Sequence, residues 1–182
     1  MTKASDEDHT GATIVAENPD TGERFNIDLI CRMTEARIQT DARRIRVMKA
    51  LLALDHPVFP MVHEFTVWEG YLSMRWTPPR ALFVPLETAL GAHQPFTEAD
   101  LRAATEHASR ALGLAHDLGV FHGALDPEHI LLSLEGDVPL VIGLGVAQLR
   151  FDPDESGAMA ANLSRDHDMA SLMATMASVR AR

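Results

Sequence analysis

The stretch Ala111-Leu112-Gly113-Leu114-Ala115-His116-Asp117-Leu118-Gly119-Val120-Phe121-His122-Gly123-Ala124-Leu125-Asp126-Pro127-Glu128-His129-Ile130-Leu131-Leu132 decides the fold of this chain. Its first part closes a helix. Leu101, Ala104, Ala108, Ala111, Leu112 and Ala115 recur at the spacing of one helical face, and the run ends at Leu118-Gly119. Thr97 opens the helix, and the acid three residues on is Asp100, where a capping box usually carries Glu or Gln. Its last part opens a buried hairpin: Ile130–Ser133 and Val138–Ile142 are apolar runs separated by Leu134-Glu135-Gly136-Asp137.

Working towards the N-terminus, Thr77-Pro78-Pro79 breaks the pattern, and a short helix is expected at about Pro85–Leu90. Before it, Met61–Trp68 and Tyr71–Trp76 read as strands joined by Glu69-Gly70, and Thr34–Leu54 as one helix. Ile38, Ile45, Met48 and Leu52 supply that helix with an apolar side, and Arg37, Arg43, Arg44 and Arg46 make the rest basic. Asp55-His56-Pro57 ends it, because proline disfavours helix in the residue before it. Ala12–Glu17 and Arg24–Cys31 flank the turn sequence Asn18-Pro19-Asp20-Thr21-Gly22-Glu23 and form a hairpin. Towards the C-terminus, residues 150–165 are polar and irregular, and a last helix over about Asp166–Arg180 carries Met169, Leu172, Met173 and Met176. The chain has 182 residues, 46% of them hydrophobic, enough for a real core in an α+β arrangement of two lobes. A net charge of −10 argues against general nucleic-acid or anionic-membrane binding. The apolar runs are shorter than the roughly 20 residues that span a bilayer. Cys31 is the sole cysteine, which excludes an internal disulfide and fits a reducing cytoplasm.

The opening stretch resembles the catalytic-loop region of the eukaryotic-like (Hanks-type) Ser/Thr protein kinases, especially the bacterial ones, whose pattern runs AH-x-x-G-x-x-H-R-D-L-K-P-x-N-I-L-L. The neighbours agree, in order and spacing. Thr21–Asp28 is similar to the hairpin leading into the family's lysine-bearing strand, and Leu54-Asp55-His56-Pro57 to the segment closing its αC helix. Gly143-Leu144-Gly145-Val146-Ala147 sits where D-F-G-x-A would be, and Asp168-Met169-Ala170-Ser171-Leu172 resembles the start of the αF helix. The resemblance implies a protein-kinase-like two-lobe fold. Residues 1–11 form a flexible acidic tail, 12–76 a β-rich N-lobe with the αC-like helix, 77–80 a hinge, and 81–182 a shortened C-lobe. The family's Gly-rich loop is expected before residue 12, where Gly11 is the one glycine, and its further C-lobe helices after the αF-like one.

Phosphoryl transfer in this family needs a lysine on the phosphates, metal-binding side chains and a catalytic aspartate. The resemblance places Asp28 at the lysine position, Ala124 at the catalytic aspartate, His129 at the metal-binding asparagine and Gly143 at the metal-binding aspartate. Gly123 stands for the loop arginine and Asp126 for the loop lysine, and the αC glutamate position falls near Val47. Lys3 and Lys49 are the chain's two lysines among 16 basic residues, one in the tail and one on the αC-like helix, so neither replaces the phosphate anchor easily. His122, Leu125, Pro127, Ile130, Gly145 and Asp168 match positions that hold the loop and the αF helix together.

The expected function is therefore that of a catalytically inactive pseudokinase, a protein-binding regulatory or scaffold module with weak or no ATP binding. No cofactor and no metal are expected. The alternative is an atypical nucleotide-dependent transferase with relocated active-site residues, for which Asp126, Asp152 and Asp154 are candidate ligands. His116, His122 and His129 are candidates for a metal site, weighed against structural places in the family pattern. Asp28 either pairs with Arg43 or Arg44 as an inverted bridge, or those arginines form a solvated basic face. Met169, Leu172, Met173 and Met176 either face the core or bind a protein partner or a second copy through an exposed C-lobe face.

Overall fold

The turn at Asn18 sets the first hairpin. Its carbonyl accepts the Gly22 N–H at 2.8 Å and its side-chain oxygen the Asp20 N–H at 3.0 Å. The computed structural model describes residues 12–78, 83–91, 96–135, 138–150 and 163–180. Strands β1 (Thr13–Glu17) and β2 (Arg24–Arg32) leave this turn, and β3 (Val62–Trp68) and β4 (Tyr71–Trp76) leave the next, in an antiparallel sheet of order β1-β2-β4-β3. Thr13 lies opposite Asp28, Asp28 opposite Met74, and Asn26 opposite Trp76. Opposed residues share a face of a pleated sheet, so Thr13, Asp28, Met74 and Trp76 project from the same side.

The helix expected over Thr34–Leu54 is two helices, α1 (Glu35–Thr40) and α2 (Ala42–Ala53). Asp41 breaks the run at φ −86°, ψ 86° and caps α2, its carboxylate accepting the Arg44 N–H at 2.9 Å. Aspartate competes with the helical backbone in this way, which periodicity alone does not register. The same carboxylate pairs with the guanidinium of Arg44, which is buried and not part of a solvated basic face. Val47, Met48 and Leu51 complete the inward side of α2, whereas Leu52, expected there, is exposed.

The second half holds β5 (Phe83–Pro85), α3 (Leu86–Gly91), α4 (Glu98–Asp117), β6 (Ile130–Ser133), β7 (Leu140–Val141), α5 (Val146–Arg150) and α6 (Arg165–Arg180). Thr97 and Asp100 form the reciprocal capping box of α4 with aspartate in the acid's place. Strands β5, β6 and β7 make a small antiparallel sheet. Neither β5, three residues ending in proline, nor α5, five residues behind two glycines, was expected, since both are too short to set up a period. One apolar cluster runs from Ile30, Val47, Leu51 and Leu72 through Leu144 and Leu149 to Leu112, Val120 and Leu172, joining the β-rich lobe to the helical one. No helix among the described residues is long and apolar enough to cross a membrane.

Candidate functional site

Asp168, fully buried in the first turn of α6, organises the loop that follows α4. Its carboxylate accepts the backbone N–H of His122 and of Gly123, each at 2.8 Å, and the Nε2–H of His116 at 2.9 Å. The His116 ring stacks on Phe121 with centroids 5.4 Å apart. His122 donates Nε2–H to the carbonyl of Ile142 at 2.8 Å. A carbonyl only accepts, so this bond fixes the proton on Nε2. Burial lowers the His122 pKa to about 4, outweighing the Ile142 carbonyl and the Asp168 and Asp126 charges, so the ring is neutral.

His129 lies beside His122, ring edge to ring face, with centroids 5.0 Å apart. Its Nδ1 donates to Asp126 at 2.7 Å, and the same aspartate accepts the Glu128 and His129 N–H groups. Burial pushes the Asp126 carboxyl up, but His129 and these two N–H groups prevail and hold it below the usual range. Gly143 has φ +78°, and a Cβ there would stand 3.0 Å from the His129 ring. An aspartate side chain at 143 would thus meet the imidazole that occupies this corner. Gly145, at φ +77°, leaves room for Leu51, which would lie 2.8 Å from a Cβ.

Helix α5 locks the lobes together. The Leu149 carbonyl accepts Arg44 Nε–H at 2.7 Å, and the Gln148 carbonyl accepts Arg43 Nη1–H at 2.6 Å. Arg150 donates Nε–H to Ile30 at 3.1 Å. The Gln148 amide reaches the other lobe, donating to Gly119 at 3.0 Å and accepting from Phe121 at 3.0 Å. Arg43 and Arg44 therefore hold α5, and the inverted bridge to Asp28 does not form. Asp28 instead accepts the Thr13 hydroxyl at 2.7 Å. Desolvation raises its pKa against the opposing effects of Thr13, the adjacent Trp76 indole and the Arg150 charge. The indole N–H is buried beside the carboxyl, where it favours the charged form.

Asp28, Ala124, His129 and Gly143, scattered over the sequence, line one cavity of about 320 Å³ between the lobes, with Thr13, Trp76 and Arg150. The anchoring residues sit behind it: Leu125 and Ile130 are buried, and the Pro127 carbonyl accepts the Glu87 N–H of α3. His116, His122 and His129 do not converge, and no group of three potential metal ligands exists among the described residues. Asp152 and Asp154 lie outside those residues, as do 79–80 of the expected hinge. Of the methionine stripe, Leu172 and Met176 are buried in the core and Met169 packs against it, as the core-facing alternative expects, whereas Met173 is exposed. Thr13 was missed although the hairpin register places it opposite Asp28. Trp76 and Arg150 carry no comparable signal.

No protein-family model matches the chain. CBL-interacting protein kinase 21 of Oryza sativa subsp. japonica is 25% identical over 140 residues, which are 76% of this chain and 26% of that protein. The chain thus spans about a quarter of the length of this curated relative. Among solved structures, the M. tuberculosis PknI kinase domain superposes with a TM-score of 0.69 at 17% identity, covering 94% of this chain and 68% of that one.

Proposed function

From a chain that has the protein-kinase fold and is related in sequence to the Hanks-type kinases, we propose a catalytically inactive pseudokinase, a cytoplasmic regulatory or scaffold module that works by binding protein. One observation carries this reading: the four replaced positions meet at one cavity. A carboxylate at Asp28 repels the phosphates that a lysine would hold. Ala124 has no group to orient or deprotonate a hydroxyl, and His129 fills the space beside Gly143 that a metal-binding side chain would need. The surroundings are kept, with Asp168, His122 and Gly145 supporting a loop whose reactive positions have changed. The work is then contact with a kinase, a substrate or an assembly, through a C-lobe face to which Leu114, Leu118 and Met173 contribute exposed apolar surface.

The second reading is an atypical nucleotide-dependent transferase, and the Asp126–His129 pair favours it. An imidazole polarised by a carboxylate at Nδ1, with its other edge towards the cavity, has the form of a general base. A thermal-shift titration with ATP and Mg²⁺ or Mn²⁺ separates the two. The pseudokinase reading predicts an unchanged melting temperature at millimolar nucleotide; a saturable rise overturns it in favour of the transferase.

A further inference from the structure

The two edges of the sheet in the β-rich lobe differ. Strand β3 pairs with β4 through a register shift between Val62 and Glu64, and Glu64 forms an ion pair with Arg75. Bulges and charges are devices that keep an open edge from pairing with another chain. Strand β1, Thr13-Ile14-Val15-Ala16-Glu17, runs in unbroken register against β2 and has no proline and no lysine. Its one charge, Glu17, stands at its end beside Arg24, at 3.2 Å. Among the described residues no strand pairs with its other side.

The ladder to β2 fixes which groups this edge presents. The Ala12 carbonyl accepts the Leu29 N–H at 2.9 Å, and the Asn18 N–H donates to the Glu23 carbonyl at 2.8 Å. Along an antiparallel edge strand, successive residues alternate between pairing inwards and pointing outwards. Ile14 and Ala16 therefore turn their N–H and C=O groups towards β2, and Thr13, Val15 and Glu17 turn theirs to the open side. Val15 is 70% exposed, more than any other large apolar side chain among the described residues.

We infer that this edge pairs with β1 of a second copy of the chain, antiparallel about a two-fold axis at Val15. Free strand donors and acceptors fit an extended strand, and β1 is complementary to itself. With Val15 opposite the partner's Val15, Thr13 faces the partner's Glu17 and Ile14 faces the partner's Ala16. The residues whose backbone groups point outwards thus meet one another and exchange N–H···O=C bonds. No like charges are opposed, since Glu17 meets a threonine, and the two bared valines cover each other. The nearest segment of the chain itself holds Asp6, Glu7 and Asp8, types depleted from strands. The pairing makes one continuous sheet from two, does not use the C-lobe face, and stands whether or not the chain transfers phosphate.

Sedimentation velocity on the whole chain from micromolar to millimolar concentration, with amide hydrogen exchange on the same samples, tests it. The expected result is a concentration-dependent dimer in which the Thr13, Val15 and Glu17 amides exchange slowly, and a monomer in which they exchange fast. Val15→Pro removes an outward N–H that takes no part in the ladder to β2, the place where an edge strand tolerates proline. It should weaken the dimer about tenfold or more and leave the circular dichroism of the chain unchanged. If Val15→Pro does not fold, Val15→Lys sets two ammonium groups opposite each other at the axis and should weaken association likewise. A chain that stays monomeric throughout, or a dimer undiminished in the folded variant, overturns the pairing. So does slow exchange of those amides in the monomer, which would mean that the chain's own N-terminal segment occupies the edge.

Discussion

Asp168 shows how much of this loop depends on one side chain. Its carboxylate satisfies three donors in a site closed to water. Asp168→Ala orphans all of them and should cost about 3 kcal/mol or more, read as a lower urea midpoint; a loss under about 1 kcal/mol would show that the loop is held elsewhere. Gly145→Ala tests the close approach of α2, since the new Cβ meets Leu51 at 2.8 Å on a backbone with φ +77°. It should destabilise by about 1–3 kcal/mol in the same assay. His122, Leu125, Pro127 and Ile130 were legible in the sequence because they stand at fixed offsets within one recognisable run, and Gly145 and Asp168 because their short motifs follow it in order. Asp28 was legible as a position but not in its contacts. Its bond to Thr13 follows from the hairpin register and its approach to Trp76 from the pairing of β2 with β4, whereas its approach to Arg150 depends on how the sheet meets α5, which no local pattern records.

At the scale of elements, the long strands and α4 were readable because period and caps agreed over many residues. The break between α1 and α2 was not, because it rests on one carboxylate doing two jobs. Burial pushes the Asp41 carboxyl up, but the Arg44 N–H and guanidinium outweigh that and hold it below the ordinary carboxylate range. Asp41→Ala removes the cap and one partner of the buried Arg44 guanidinium, which keeps its bond to Leu149, and should cost about 2 kcal/mol in unfolding free energy. Asp41→Asn keeps the cap acceptor and should lose less. Helix α5 is too short to be found by periodicity, yet it ties β2 and α2 to the loop after α4. Replacing Gln148 with Leu removes the amide's two bonds to Gly119 and Phe121. It should lower the melting temperature while leaving α4 and α6 helical by circular dichroism.

For the whole molecule, the buried neutral His122 makes stability depend on pH. Its pKa is about 4 in the folded chain against an ordinary 6.5, so the unfolded chain binds the extra proton between those values. Stability is therefore retained above about pH 6.5 and lost as pH falls towards 4, by on the order of 3 kcal/mol. Asp41 and Asp126, lowered from 3.8, add losses at still lower pH, through their folded pKa values. Asp28, raised from 3.8, acts in the opposite sense as it protonates. Urea unfolding from pH 7 to 4 should show a falling midpoint, and a flat profile would contradict the neutral buried imidazole. The fold was legible at this scale because several short matches stood in register. The grouping of Asp28, Ala124, His129 and Gly143 around one cavity required the folded chain. Their common change of chemistry is the central claim, and ³¹P NMR of MgATP incubated with the protein and a protein acceptor tests it most directly. The account predicts a spectrum unchanged from the protein-free control. Loss of the γ-phosphate signal that disappears in His129→Ala would contradict it.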